Sequence, residues 1–167
     1  MSQLLDFYRR GGCDSERRKL EEIWGWTDSE IEHCHDFIQW MFPLDEPSSV
    51  NADAPLVSEE DRAAFRSDPQ LQFAMRQSLA VFLRFVGLKT NPEGRIVRGE
   101  NFDERLSIWR FPNHNWLRIT RVLKSLRLLG LEGEAAALWK CLRELHESDS
   151  LVSEDSYRYW REAAEAR

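Results

Sequence analysis

The stretch RFPNHNWLRITRVLKSLRLLGLE, residues 110–132, decides the fold that this sequence predicts. Pro112 and an Asn-His-Asn triplet mark the beginning of a helix, and Gly130 suits the position just beyond its end. Between these marks, apolar residues recur at helical spacing: Ile119, Val122, Leu123, Leu126 and Leu129. Because this spacing gives one buried stripe, we predict a central helix over residues 115–129 that packs against most of the other elements.

The same stretch is a basic segment in an acidic protein. No Asp or Glu occurs from Arg105 to Leu131, where six Arg and Lys residues stand, although the 167-residue chain has a formal net charge of −6. The net charge argues against general nucleic-acid binding. At the beginning of the helix, free backbone N–H groups flanked by Arg118 and Arg121 can bind an anion. Alternatively, Asn113 or Asn115 caps the helix while the Arg side chains pair with acids of neighbouring helices.

The rest of the chain also indicates helices. Capping residues precede apolar stripes at five places: Asp14, Thr27, Ser58, Asn101 and Ser153. The helix that begins after Thr27 is expected to continue to Pro43. No stretch shows sustained period-two alternation, and residues 89–99 are interpreted as a mobile surface loop. We therefore predict an all-α fold of about seven helices without a sheet, in a single domain over residues 1–167.

The composition indicates a soluble globular protein. Three Cys residues, at positions 13, 34 and 141, lack CxxC spacing, which favours free thiols in a reducing compartment. The N-terminus lacks a signal-peptide core, and no run reaches the roughly 18 apolar residues of a membrane-spanning helix. We expect a cytoplasmic protein. Seven Trp are many for this length, and we expect several to be partly exposed at helix junctions.

The segment from Pro43 to Val57 is the longest irregular one that the sequence predicts. Its three Pro residues preset much of its backbone, and loops of this length in a compact domain are often functional. Just before it, Gln39 and Trp40 can offer an amide and a flat apolar wall to a peptide or an aromatic ligand. The alternative is core packing, with Trp40 and Phe42 as anchors for the loop.

Two stretches resemble the signatures of one family. Residues 35–44, HDFIQWMFPL, with Glu46-Pro47-Ser48, Asn51 and Ala54-Pro55-Leu56 after them, resemble the first signature of the opioid growth factor receptor conserved region. Residues 113–132, NHNWLRITRVLKSLRLLGLE, resemble its second. Order and approximate separation agree, and the resemblance covers roughly residues 20–145. In size the chain is similar to the stand-alone microbial members of the family.

The resemblance implies a helical domain with a receptor-like role. The named animal members are receptors for an enkephalin peptide, are associated with the nucleus and its envelope, and restrain cell proliferation. They carry long extensions beyond the shared region. The resemblance thus implies a peptide or protein partner, and it assigns no ligand-contacting residues.

Two function hypotheses from different classes follow. The leading one is a non-enzymatic binding module for a peptide or protein partner, without a cofactor. The alternative is an enzyme or sensor for a nucleotide or phosphorylated metabolite, bound at the basic beginning of the central helix. No GxSxG, HExxH, P-loop or GxGxxG motif occurs, so no catalytic residue is assigned. Glu32 and His35 have the ExxH spacing of di-iron bundles, but no second ExxH accompanies them, and no metal site is expected.

The predicted ligand-binding residues come from both signatures. They are His35, Gln39, Trp40, Asn51, His114, Asn115, Arg118 and Arg121. We expect them to line one cleft, because a long Pro-rich loop needs a surface to lie on and a helix beginning needs acceptors for its N–H groups. Asn51 and Asp53 are expected to supply acceptors, and Asp45 or Glu46 to pair with the Arg residues. The sequence does not indicate an oligomeric state.

Overall fold

A computed structural model describes residues 2–149 and 152–166 of the chain. Over these residues it contains ten α-helices, one short 3₁₀ helix and one two-stranded sheet, so the predicted helical class is confirmed. The helices outnumber the seven expected because several are single turns or little more. No helix in the described part of the chain is long and apolar enough to cross a membrane.

The chain divides into two compact units. The first comprises the residues up to Ser78 together with Leu128–Gly130, and the second comprises Leu79–Arg127 and the chain from Leu131 onward. The single domain over residues 1–167 remains a prediction.

The first unit is built from short helices. They are α1 (Gln3–Tyr8), α2 (Leu20–Trp24), α3 (Asp28–His33), α4 (Ile38–Met41), α5 (Glu59–Ser67) and the residues of α6 (Pro69–Phe85) up to Ser78. The predicted caps at Thr27 and Ser58 are confirmed. Each hydroxyl accepts the backbone N–H three residues on, and the carboxylate of that third residue accepts the backbone N–H of the cap. These reciprocal bonds fix where α3 and α5 begin.

Two predictions for this unit are wrong. Asp14 does not cap a helix, because α2 begins only after Lys19 and the Asp14 carboxylate binds Arg18 instead. The helix expected to run from Thr27 to Pro43 is two helices, with extended backbone at Cys34 between α3 and α4. At that break the Cys34 thiol donates to Asp36 Oδ1 at 3.1 Å, a local contact that competes with helical continuation.

The core of the first unit is aromatic. The rings of Phe7 and Trp40 lie 5.4 Å apart and those of Tyr8 and Phe65 lie 4.9 Å apart, both pairs edge to face. The Pro-rich segment is pinned at its two ends, where Leu44 and Val57 are buried, whereas Val50 and Leu56 are exposed.

The second unit contains a hairpin that the sequence did not indicate. After α6 come β1 (Leu88–Thr90) and β2 (Ile96–Arg98), paired antiparallel with Leu88 opposite Arg98. The predicted mobile loop over residues 89–99 and the absence of a sheet are therefore wrong. Three-residue strands are too short to show alternation, and burial of Leu88 and Ile96 holds the hairpin in place.

The remaining elements of the second unit are helical. They are a 3₁₀ helix (Asp103–Arg105), α7 (Leu106–Arg110), α8 (His114–Leu128), α9 (Glu132–Asp149) and α10 (Glu154–Glu165). Asn101 does not cap this series as predicted, because its side chain donates to the Arg84 carbonyl at 2.9 Å. Ser153 does cap α10, as predicted.

The helix predicted over residues 115–129 is confirmed as α8, whereas its packing against most of the other elements remains a prediction. All five residues of its apolar stripe are buried, and Gly130 follows the helix with φ +87°. The rings of Trp116 and Trp160 lie 5.9 Å apart, and those of Trp109 and Trp160 lie 6.4 Å apart. Each of these three indoles donates to a backbone carbonyl, so the Trp cluster is both buried and hydrogen-bonded. The expected partial exposure holds only for Trp24, Trp26 and Trp139.

Candidate functional site

A groove of about 260 Å³ opens on the first unit. The end of α1, the end of α2 and the first turns of α6 form its walls. The residues that line it include Tyr8, Arg9, Arg10, Trp24, Gln70 and Phe73. We call this the α1–α6 groove.

Aromatic rings form the walls of the α1–α6 groove. Phe73 stands on α6 with 59% of its surface exposed, an unusual position for a large apolar side chain. Trp24 is half-buried, and its Nε1 donates to Ser78 Oγ at 3.0 Å, which fixes the plane of the indole. Both rings offer apolar surface to a ligand, and the Trp24 indole does so in an orientation that is already fixed.

Tyr8 closes the groove from the inside. Its hydroxyl donates to the Met41 carbonyl and lies 3.1 Å from Met75 Sδ. Burial raises the pKa of this phenol above its ordinary value, although a hydrogen bond with Ser78 acts in the opposite direction. The hydroxyl is thus neutral and turned into the core, and it offers the groove a ring rather than an acid or a base.

Arg9 on the rim is held by Asp68. Its Nη2 lies 3.2 Å from Asp68 Oδ2, while Asp68 Oδ1 accepts the N–H of Gln70 at 2.9 Å. The Gln70 N–H, and after it the Arg9 guanidinium, hold the pKa of the Asp68 carboxyl below its ordinary value. Both oxygens of Asp68 are therefore occupied.

Arg10 is held much more loosely. Its Nε lies 3.3 Å from Glu21 Oε1, and its side chain is 61% exposed. The backbone of Arg10 is left-handed, with φ 64°, just after the end of α1. This is a conformation that L-residues other than Gly, Asn and Asp rarely adopt.

The predicted residues of the first signature form an anchor for the Pro-rich segment. Gln39 is 2% exposed, and its Nε2 donates to the His35 carbonyl at 3.2 Å. The Asn51 side chain donates to the Asp36 carbonyl at 3.2 Å and reaches Gln39 Oε1 at 3.5 Å. His35 is exposed, and Trp40 is buried against Phe7. The structure thus brings His35, Gln39 and Asn51 together.

The predicted residues of the second signature lie on the first two turns of α8. His114 is exposed and Arg121 is half-buried, whereas Asn115 and Arg118 are both buried. Arg118 Nη1 donates to Asn115 Oδ1 at 3.1 Å, and its guanidinium stacks on Phe85 at 5.9 Å from the ring centre. Asn113 precedes the helix, and its side-chain oxygen accepts the Asn115 N–H at 2.9 Å, so the capping interpretation is supported there.

The single cleft that was expected to hold both groups remains a prediction.

No group of three or more His, Cys, Asp or Glu in the described part of the chain is arranged to hold a metal ion. Glu32 is half-buried and His35 is exposed, so the ExxH pair does not point into a bundle core.

A second, smaller pocket of about 120 Å³ lies on the second unit, between α8 and α10. Trp116 and Trp160 lie at its base, and Leu117 and Tyr159 stand exposed beside it. Its lining is almost entirely apolar. It offers surface for contact and no group for chemistry.

Sequence reasoning missed the residues of the α1–α6 groove. Arg10 is part of an Arg-Arg pair directly before Gly11-Gly12, a turn signal that places two cations where a helix ends. Phe73 falls off the buried stripe of α6, which runs through Leu71, Met75 and Leu79, so it was an identifiable exposed aromatic. Trp24 follows Leu20 and Ile23 at helical spacing, and spacing does not distinguish a buried ring from a half-buried one.

Comparison with known proteins identifies relatives over most of the chain. The family described as "Opioid growth factor receptor (OGFr) conserved region" matches residues 14–165. The chain is similar to the opioid growth factor receptor of Homo sapiens, 35% identical over 144 residues that cover 80% of this chain and 20% of the relative. It is also similar to the receptor of Rattus norvegicus, 36% identical over 140 residues covering 80% of this chain and 24% of the relative. Opioid growth factor receptor-like protein 1 of Mus musculus is 33% identical over 133 residues, covering 77% of this chain and 28% of the relative.

The chain therefore spans between 20% and 28% of the length of these relatives. No solved structure matches it.

Proposed function

The chain belongs to the opioid growth factor receptor conserved-region family, and from this membership we propose that it is a non-enzymatic binding module for a peptide or protein partner. The α1–α6 groove is the proposed binding site. Among the relatives, the opioid growth factor receptor is by its name a receptor for an opioid growth factor. For this chain, the identity of the ligand is part of the proposal and needs its own test.

One observation supports the site above all others, namely that the exposed ring of Phe73 and the hydrogen-bonded indole of Trp24 line the same groove. Peptide sites are concave, mostly apolar and aromatic, with a few polar groups that fix orientation. The groove has this composition, since Arg9, Arg10 and Gln70 supply the polar groups. An exposed aromatic ring at the edge of a concave surface is typical of a contact residue.

The groove favours binding over catalysis. Tyr8 is neutral and hydrogen-bonded into the core, and Arg9 is paired with Asp68. The lining thus lacks a nucleophile with an adjacent base, which covalent catalysis requires. Aromatic faces and guanidinium donors, by contrast, are groups that recognise ligands.

The alternative function, an enzyme or sensor for an anionic small molecule at the beginning of α8, remains a separate proposal. The basic segment from Arg105 to Leu131 motivates it. A thermal-shift screen with nucleotides and phosphorylated metabolites, run on the parent protein and Arg118→Ala, tests whether the beginning of α8 binds an anion or has only a structural role. A shift in the parent protein that Arg118→Ala abolishes supports the sensor, and no shift with any compound rules out the screened classes.

The proposed function is tested by selecting peptides from a random display library on the whole protein, with an enkephalin peptide included as a separate arm. Selected peptides are then titrated by calorimetry against the parent protein and Phe73→Ala. We expect binding that Phe73→Ala weakens by about tenfold or more, since removing a contact aromatic ring commonly costs over 1.4 kcal/mol.

Phe111→Ala is the matched control, because Phe111 is also exposed but lies in the second unit. It should leave the affinity unchanged. Peptides that bind both variants equally well use another surface, and that result would overturn the α1–α6 groove as the binding site.

A cytoplasmic location is a further part of the proposal, tested by imaging the tagged protein in its native cell.

A further inference from the structure

Resting on the proposed function, we propose that the α1–α6 groove selects peptides in which an aromatic side chain is followed directly by a carboxylate, and that Arg10 recognises this carboxylate. The aromatic side chain lies between Trp24 and Phe73. The acidic side chain beside it reaches the Arg10 guanidinium at the rim. This assigns a recognition role to a residue outside the predicted set of ligand contacts.

The aromatic preference follows from the walls. The Trp24 indole is fixed by Ser78 and half-exposed, and Phe73 faces solvent from α6. Flat rings pack best on other flat rings, in offset or edge-to-face arrangements, and they lose few internal rotations on binding. A ligand aromatic ring therefore gains more from this slot than a flexible aliphatic side chain does.

The acidic preference follows from how Arg10 is held. Its ion pair with Glu21 uses Nε, which leaves the two terminal nitrogens of the guanidinium as donors. One N–H group from each of these two nitrogens can form the fork that binds a carboxylate with two parallel hydrogen bonds. Because the pair with Glu21 joins two exposed side chains, it opposes a second carboxylate only weakly.

The other charges at the rim do not favour a cationic ligand. Asp68 already pairs with Arg9 and accepts the Gln70 N–H, which weakens its attraction for a cation. Arg9 and Arg10 line the groove itself, and both repel a positive charge. Of the two guanidinium groups at the rim, that of Arg10 is the more exposed, and the ligand that matches it is an anion.

The backbone at Arg10 points to the same residue. The position directly after a helix end with φ near +60° usually holds Gly. Arg10 occupies it with φ 64°, and its side chain lies at the rim of the groove. The strain supports the proposal only together with the open fork and the groove beside it.

The test uses three fluorescein-labelled peptides in which Gly residues flank the two positions of interest. The first is Gly-Gly-Phe-Asp-Gly-Gly, the second has Asn in place of Asp, and the third has Ala in place of Phe. Fluorescence anisotropy gives their affinities for the parent protein, Phe73→Ala and Arg10→Gly. Arg17→Gly is the matched control for Arg10→Gly, because Arg17 is also exposed and left-handed, with φ 62°, and does not line the groove.

We expect the Phe-Asp peptide to bind the parent protein about two- to fivefold more tightly than the Phe-Asn peptide, the gain that an exposed ion pair commonly gives. Arg10→Gly should erase this difference, and Arg17→Gly should preserve it. The preference should also shrink as salt is added. Equal binding of both Phe peptides, still sensitive to Phe73→Ala, would overturn the acidic preference and leave the peptide site intact. Binding that ignores Phe73→Ala would overturn the groove itself.

Discussion

Arg18 Nε lies 2.6 Å from Asp14 Oδ2, and the Asp14 side chain is completely buried. The same carboxylate accepts the backbone N–H groups of Glu16 and Arg18. Arg18 in turn donates from Nη1 to Asp36 at 2.8 Å and to the Cys34 thiol at 3.1 Å. One guanidinium thus ties the turn before α2 to the break between α3 and α4.

Asp14→Ala should reduce the free energy of unfolding by about 1–3 kcal/mol, because it leaves buried donors without an acceptor. Urea denaturation measures the loss. Asp45→Ala is the control, since Asp45 pairs with Arg62 at the surface and an exposed pair contributes at most about 1 kcal/mol. Equal losses in the two variants would mean that the buried network contributes no more than a surface contact.

Asp36 should make stability depend on acid pH. Its burial acts to raise the pKa, but hydrogen bonds from Cys34 and Arg18 prevail and hold the pKa below the ordinary value of 3.8. The stabilisation is therefore complete above pH 3.8 and is lost as the pH falls through the folded-state pKa. The difference in unfolding free energy between the parent protein and Asp36→Asn should be constant near neutral pH and shrink in that acid range. A difference that does not change with pH would contradict the shift.

Leu123→Ala and Leu126→Ala should each cost about 2–5 kcal/mol, the range for removing a large side chain from a packed core. Both residues are fully buried on α8. Leu117→Ala is a control on the same helix, because Leu117 is 75% exposed and should change stability by no more than about 0.5 kcal/mol. Thermal and urea unfolding give the comparison. Similar small effects at all three positions would place the buried stripe elsewhere.

Arg17→Gly should stabilise the protein by up to about 1 kcal/mol. The left-handed conformation destabilises a residue with a side chain by roughly 1–2 kcal/mol, and Gly removes this cost. The greater freedom of Gly in the unfolded chain reduces the gain by about 0.4–1 kcal/mol. Arg10→Gly should gain less, because it also removes the contact with Glu21. If either variant loses more than a kilocalorie, its Arg side chain makes a stabilising contact that outweighs the strain.

Cys141 should resist alkylation in the folded protein. Burial, and after it the charge of Glu144, raises the pKa of this thiol to about 12, so it carries no thiolate at neutral pH. Cys13, which is partly exposed, should react first with iodoacetamide, as mass spectrometry of the digested protein can show. Modification of Cys141 at the same rate as Cys13 would indicate that this part of α9 opens readily.

The sequence predicted most successfully where the signal was local. The caps at Thr27, Ser58 and Ser153 were correct because a hydroxyl bonds the backbone two or three residues on. Prediction failed where a capping side chain found another partner, near in sequence for Asp14 and distant for Asn101. Asp14 has the chemistry of a cap, yet Arg18 takes its carboxylate, and Asn101 likewise donates to Arg84, seventeen residues back.

For the candidate site, the sequence predicted residues that the structure places partly in anchoring roles. Gln39 and Asn51 bond each other and nearby carbonyls, and Arg118 bonds Asn115. Whether these residues also contact a ligand remains a prediction. The residues of the α1–α6 groove were not in that set. Whether a ring such as Phe73 is exposed depends on whether distant parts of the chain pack over it.

By itself, the sequence determined the helical class, the buried stripe of α8 and the end of α8 near Gly130, because periodicity, capping and positive φ are properties of neighbouring residues. Only the tertiary structure decided the hairpin from Leu88 to Arg98 and the groove that brings Arg10 together with Phe73. The hairpin depends on burial of single residues in very short strands. The groove joins side chains 63 positions apart, counted from residue 10 to residue 73, and no local pattern encodes which distant surfaces fold against each other and which stay open.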